Sequence, residues 1–326
     1  MRTCYLHLGM PKTGSTSIQT AFSGYEDRDL VYAKLRVSNH GSALTAKFAD
    51  APENSRVFRR HAVRGKNVGK SVKSKIAHFD QSMNTSKSVI YSCEWIVDTL
   101  SPDEVAKMLA FFKARFDRLV VIAYVRPLAS LVNSQFQQQV KMGRRKFVLP
   151  RPRYRKFFGP LVEGVDRENL QLVRFDRADL VGGDVVSDFA HRVGAQQTPK
   201  VEEEVNESLS AEAVGAMYAF NKYTGPLLRP RKRMKSLSML RETLRGVGEI
   251  KFGLDAELIE AHMQTYAEDV AWIEAQAGFE VKGSIKSVPT PVRSEAQLLG
   301  MADQLSGRLA KKLRAMNLSP SDDPED

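Results

Sequence analysis

The residues best suited to chemistry lie in the stretch YLHLGMPKTGSTSIQTAF, from Tyr5 to Phe22. A short apolar run passes through Gly9, Lys12 and Gly14 into a helical pattern that begins near Ser15. A strand, a glycine-rich turn and a helix in that order aim unpaired backbone N–H groups and the positive end of a helix at one point, which suits a phosphate. Gly9 and Gly14 allow backbone conformations that a side chain forbids. Lys12 adds a mobile positive charge inside the turn, and Thr13, Ser15, Thr16 and Ser17 add hydroxyl donors. Pro11, Lys12, Thr13, Gly14, Ser15, Thr16 and Ser17 are therefore the candidate contacts to a phosphate-bearing nucleotide. The spacing of Gly9 and Gly14 matches the front of a nucleoside-triphosphate loop, but Ser15 stands where that motif needs a lysine before its magnesium-binding hydroxyl. A nucleotide kinase or ATPase is the weaker reading of the same turn, and no metal site is expected.

The string HLGMPKTGSTSIQ resembles the 5′-phosphosulfate loop of sulfotransferases that use 3′-phosphoadenosine 5′-phosphosulfate (PAPS), in particular a bacterial branch with a similar Pro-Lys-Thr-Gly centre. A second string, VVIAYVRPLASLVNSQF, is similar to that family's 3′-phosphate site, with Arg126 ending a strand and Ser134 eight residues on. Physically, a strand-end arginine and a serine two turns into the next helix can meet one phosphate near the first loop. Ser130, one turn earlier, is a supporting contact. A 5′ site paired with a 3′ site specifies a bisphosphorylated adenosine, so the resemblance implies PAPS as cosubstrate and the bisphosphate PAP as product. Two further stretches, Arg174 to Gly194 and Val205 to Val214, also look like segments of the bacterial branch, and a strand-end turn with a helix start accounts for them equally well. The family's late Arg-Lys-Gly-type loop has no clean counterpart here. Arg229, Arg231 and Lys232 are the nearest basic residues.

Sulfuryl transfer needs in-line geometry, stabilisation of charge on the leaving group, and a base for the incoming hydroxyl. Lys12 fits the second role, because charge grows on the leaving phosphate as the sulfur–oxygen bond breaks. Two residues compete for the third. Glu94 ends the run SVIYSCEWI, on a strand expected beside the phosphate-loop strand, where other family members carry a catalytic histidine or glutamate. His40, in RVSNHGSAL, has the better unperturbed pKa for a neutral-pH base, with Arg36 and Asn39 beside it to line an acceptor pocket.

The elements that must position these residues alternate in type. Five apolar runs read as strands: Thr3 to Leu8, Leu30 to Tyr32, Ser88 to Ser92, Leu119 to Val125 and Leu170 to Phe175. Helical patterns lie between them, so the expected class is α/β: a P-loop-like parallel sheet of about five strands with helices on both faces and a site at the strands' carboxyl ends. Ser101, Pro102 and Glu104 signal a helix start before Val105, Met108, Leu109 and Phe112. Residues 1–200 are expected to form the nucleotide-binding core. Residues 201–316 are expected to form a helical extension that packs on the core and covers the site, with helices near Ala211 to Tyr223, Asp255 to Ala277 and Ser294 to Met316. Leu227 to Phe252 reads as a basic loop or lid, and residues 317–326 as a disordered tail.

Composition bounds the partners. With 326 residues, 42% of them hydrophobic, the chain can bury a sizeable core. No run of eighteen apolar residues and no leader pattern occurs, which makes a soluble cytoplasmic protein without a transmembrane segment the expectation. Cys4 and Cys93 sit in apolar runs and read as inert thiols. The formal charge of +11 selects anionic partners. Its basic clusters favour an extended anionic acceptor such as a polysaccharide or glycolipid. The same charge raises a non-catalytic nucleic-acid-binding protein as a third reading, but the clusters lack interleaved stacking aromatics and no specific nucleic acid is expected.

Overall fold

Runs such as LVVIAYV are apolar at consecutive positions, a pattern that suits a strand covered on both faces. In the computed structural model, which describes residues 1–63, 65, 67–200, 209–285 and 287–305, these runs form β1 (Thr3–Gly9), β2 (Leu30–Tyr32), β3 (Ser88–Glu94), β4 (Arg118–Val125) and β5 (Leu170–Arg174). They make one parallel sheet in the order β2-β3-β1-β4-β5. The fold is α/β, as the alternation predicts. β3 runs two residues beyond its apolar stretch, so that Glu94 falls in register with Gly9, the last residue of β1.

The described residues of Met1–Pro127, Arg153–Glu204 and Glu268–Val281 make one compact unit, and those of Leu128–Pro152, Val205–Ala267 and Lys282–Asp326 make another. In the first, one sheet face packs Ile90, Ile122 and Tyr124 against Ile18, Phe22, Val186 and Phe189 of the helices Ser15–Ala21 and Val185–Val193. On the other face Phe48, Phe79, Tyr91 and Phe112 stack edge to face or tilted, with ring centroids 5.1 to 6.0 Å apart. Each such buried ring contributes roughly 2–3 kcal/mol through the area it removes from water. Ser101 and Glu104 form the expected reciprocal cap, with N–H to oxygen distances of 3.3 and 2.7 Å, and start the helix Pro102–Lys113.

The Arg174 to Gly194 stretch has a structural role. Asp188 is fully buried and accepts from Tyr124 Oη at 2.8 Å, Arg192 Nε at 2.6 Å and the Val181 N–H at 3.2 Å. The Asp184 carboxylate caps the helix Val185–Val193 through the Ser187 N–H.

In the second unit, Ser210 and Ser294 cap the helices Ala211–Ala219 and Glu295–Asp303. These helices approach backbone to backbone at Gly215, where an added Cβ would lie 2.4 Å from the Leu298 carbonyl oxygen. Two expectations need correction. The segment expected as a basic loop contains a 14-residue helix, Pro230–Thr243, with Pro230 in the first turn and Leu237 and Leu244 buried. Its apolar positions are few because most of its surface is exposed. The single helix expected over Asp255 to Ala277 is two, Ala256–Thr265 and Ala267–Ala277, broken at Tyr266. The second belongs, from Glu268 on, to the first unit, where the Asp269 carboxylate accepts the N–H groups of Tyr154 and Arg155 at 2.9 and 2.8 Å. The far half of the expected terminal helix, the tail, and most of the Val205 to Val214 stretch's first half lie outside the described residues.

Candidate functional site

The turn after β1 is bent by three residues acting together. Gly9 cannot carry a side chain, since its Cβ would fall 1.9 Å from Ser15 Oγ. Gly14 has φ 71° and a Cβ there would meet Val185 Cγ1 at 2.7 Å. Lys12 itself is left-handed, at φ 67°, a conformation that costs a side-chain-bearing residue about 1–2 kcal/mol. Two hydrogen bonds hold it there. Thr13 Oγ1 donates to the Met10 carbonyl at 2.6 Å, and the Arg126 guanidinium donates to the Lys12 carbonyl.

The candidate contacts separate by exposure. Pro11, Thr13 and Ser15 are buried, and Thr13 Oγ1 lies 3.5 Å from Ser15 Oγ, so these residues brace the turn from inside. Lys12, Gly14 and Ser17 are half-buried and Thr16 is exposed. Gly14 is also the N-cap of the helix Ser15–Ala21. It offers no capping side chain, and the first turn contains no acid to compete with an anion.

The electrostatics at this point are those of an anion site. Burial lowers the Lys12 ammonium from its ordinary pKa and the neighbouring Arg126 charge lowers it further, with Glu94 acting in the opposite direction. Burial pushes Arg126 down to about 10. Its guanidinium lies 5.6 Å from the Phe175 ring centre, and its carbonyl accepts from Tyr154 Oη at 2.7 Å. The Glu94 carboxylate thus lies near the Lys12 ammonium. Burial raises Glu94, while Lys12 and a hydrogen bond from the Trp95 side chain draw it back down.

Arg126, Lys12 and Glu94 therefore converge from three strand ends. His40 does not share their exposure. It is fully buried, its Nδ1 accepts the Ser92 N–H at 3.1 Å, and its ring packs 4.4 Å from that of Tyr32. Burial lowers its pKa to about 3, and its Nε2 has no hydrogen-bond partner. His7 is its counterpart on β1: fully buried, 2.8 Å from Ser92 Oγ through Nδ1, with a pKa lowered to about 3 by burial. Both histidines lean on Ser92 and hold the strand ends together. Arg36 and Asn39 are exposed. Ser130 and Ser134 are half-buried on the helix Leu128–Lys141 of the second unit, and Arg229, Arg231 and Lys232 of that unit are exposed.

Trp95 is the site residue that the sequence reading passed over. It follows Glu94, sits at φ 71° without being glycine, and leaves its indole 45% exposed. Arg36, in the loop after β2, is left-handed too, at φ 60°. Strain of this kind collects where a chain presents side chains to a ligand. The only sequence signal was an aromatic residue directly after a strand-end acid. Among the described residues no cluster of three His, Cys, Asp or Glu side chains could hold a metal ion.

No family model and no curated protein matches this chain. Among solved structures it is similar to a sulfotransferase domain from the curacin biosynthetic pathway, at a TM-score of 0.33 and 11% identity, over 82% of this chain and 98% of that one. At that TM-score the likeness has no bearing on function.

Proposed function

We propose that this chain is a sulfotransferase that uses PAPS and passes its sulfuryl group to an acceptor hydroxyl. One observation carries the proposal: the Arg126 guanidinium binds the Lys12 carbonyl at a glycine-bounded turn, so that two cations depressed by burial meet there, with the Glu94 carboxylate acting on Lys12. Two cations brought to one turn favour an anionic ligand.

Gly9 and Gly14 let the turn close tightly on Ser15 and Val185, and the helix Ser15–Ala21 that follows presents its N–H groups to the 5′ end of such a ligand. When bound, PAPS supplies an activated sulfuryl group. Lys12 then stabilises charge on the oxygen that bridges sulfur and phosphorus, which grows as that bond breaks. Arg126 takes the 3′-phosphate. The acceptor oxygen forms the new bond to sulfur, PAP leaves with the electron pair of the broken bond, and the acceptor proton passes to Glu94. A raised carboxylate pKa suits that step. His40 stays a buried structural residue, since its Nδ1 is already engaged and its pKa lies far below neutrality. Trp95 offers an aromatic face next to Glu94 on which an acceptor ring can lie.

Isothermal titration with 3′,5′-adenosine bisphosphate tests the proposal directly. The wild-type chain is expected to bind it in the micromolar range, and PAP release from PAPS is expected with a polysaccharide or glycolipid acceptor. No binding of the bisphosphate by the wild type, or magnesium-dependent ATP hydrolysis in its place, would overturn it.

A further inference from the structure

The excess positive charge of this protein is not spread along the chain. Residues 141–148 carry four cations and no acid, and residues 222–245 carry eight cations and one acid. Together they hold the whole formal excess of +11, so the rest of the chain is formally neutral. Both segments belong to the second unit. They also touch there: a Cβ at Gly143 would lie 3.4 Å from Leu237 Cδ1 of the helix Pro230–Thr243. Between them lies a shallow, open depression of about 500 Å³ lined by Arg144, Arg145, Lys146 and Lys222. Glu295 pairs with Lys222 at 2.7 Å, and the other three lining residues make no ion pair among the described residues.

The same two segments hold most of the exposed apolar side chains. Of ten large hydrophobic residues exposed among the described residues, six are Met142, Val148, Tyr223, Leu227, Met234 and Met239, all more than half exposed. A soluble polyanion needs the cations alone, and exposed methionine and leucine contribute nothing to binding it. A bilayer of anionic lipid uses both, because headgroups attract the cations while apolar side chains enter the acyl boundary. The helix Pro230–Thr243 has the required pattern. Leu237 and Leu244 beside it are buried, whereas Arg231, Lys232, Lys235, Met234 and Met239 face solvent. No described helix is long and apolar enough to cross a membrane, so the contact would be one of surface docking.

We infer that this face of the second unit docks on anionic membrane surfaces, with a lipid phosphate in the depression lined by Arg144, Arg145, Lys146 and Lys222. Neither segment holds a residue used above for sulfuryl transfer, so membrane docking and nucleotide binding can fail separately.

Co-sedimentation of the full chain with phosphatidylglycerol–phosphatidylcholine vesicles, against pure phosphatidylcholine vesicles, tests the inference. Binding is expected only to the anionic vesicles. The triple variant Arg144→Ala/Arg145→Ala/Lys146→Ala should weaken it on the order of a hundredfold, about fivefold per cation. Lys232→Glu/Lys235→Glu, at exposed positions that carry little folding risk, should weaken it comparably. Leu227→Ser/Met234→Ser/Met239→Ser should lower vesicle binding about tenfold yet leave the salt concentration for elution from immobilised heparin unchanged. Equal binding to both vesicle types would overturn the inference. So would serine variants that bind vesicles like the wild type, which would make the face a site for soluble polyanions.

Discussion

Positive charge is concentrated in two regions of this protein by different physical means. At the end of β1, Lys12 and Arg126 are partly withdrawn from water, their charged forms are penalised by burial, and the backbone beneath them is strained and locked by hydrogen bonds. In residues 141–148 and 222–245 the cations are numerous and mostly open to solvent, interspersed with exposed apolar side chains. A desolvated pair of charges selects one ligand geometry and is only weakly screened by salt. A broad exposed set selects the sign of a surface and loses its grip within a Debye length of about 10 Å at 0.1 M salt. The first arrangement suits chemistry, and the second suits delivery.

The sharpest way to break this contrast is Lys12→Ala. If Lys12 acts on developing charge, turnover should fall about a thousandfold while affinity for the bisphosphate falls much less; an equal loss in both would reduce Lys12 to a binding cation. Arg126→Ala should weaken bisphosphate binding roughly a hundredfold by calorimetry, since a terminal phosphate loses a charge-assisted partner in a desolvated site. Raising salt to 0.5 M should leave the wild-type value within a few-fold while stripping the protein from vesicles.

Glu94→Gln should cost about a hundredfold in turnover and, more tellingly, change the pH profile. If Glu94 takes the acceptor proton it works ionised, and burial raises its pKa, so wild-type kcat/KM should then climb with pH through an acid limb placed above the ordinary glutamate range. Glutamine should flatten that limb. A limb that survives the substitution would assign the proton to another group.

The smallest effect concerns the two histidines behind the site. Their folded-state pKa values of about 3 lie below the unfolded value near 6.5. The unfolded chain therefore binds more protons between those limits, and stability is lost as pH falls from about 6.5 toward 3, by about 1.4 kcal/mol per pH unit for each histidine. Urea midpoints taken at pH 7 and pH 5 should show the loss, and His40→Gln should remove about half of the histidine contribution. An unchanged pH dependence in that variant would mean that His40 is not held neutral in the core.

Much of this was legible in the chain itself. Alternating apolar runs and capped helical patterns predicted five parallel strands, because consecutive Val, Ile and Leu suit a sheet covered on both sides. The spacing of Gly9, Lys12 and Gly14 predicted the turn, because only those backbone conformations close it. Ser101 with Glu104 predicted a helix start, because a cap is a contact within three residues.

Contacts across long stretches of sequence were decided by the tertiary structure alone. Register set Glu94 opposite Gly9, and packing brought Arg126 onto the carbonyl of Lys12, 114 residues earlier. Burial took His40, whose residue type alone made it a candidate base, into the core and left it neutral. The helix Pro230–Thr243 was hidden because a helix that buries so few of its residues carries little apolar periodicity, and the break at Tyr266 was hidden because Asp269 finds its partners in a segment more than a hundred residues away. Local pattern determines which elements form; which side chains meet, and in what dielectric, depends on how those elements pack.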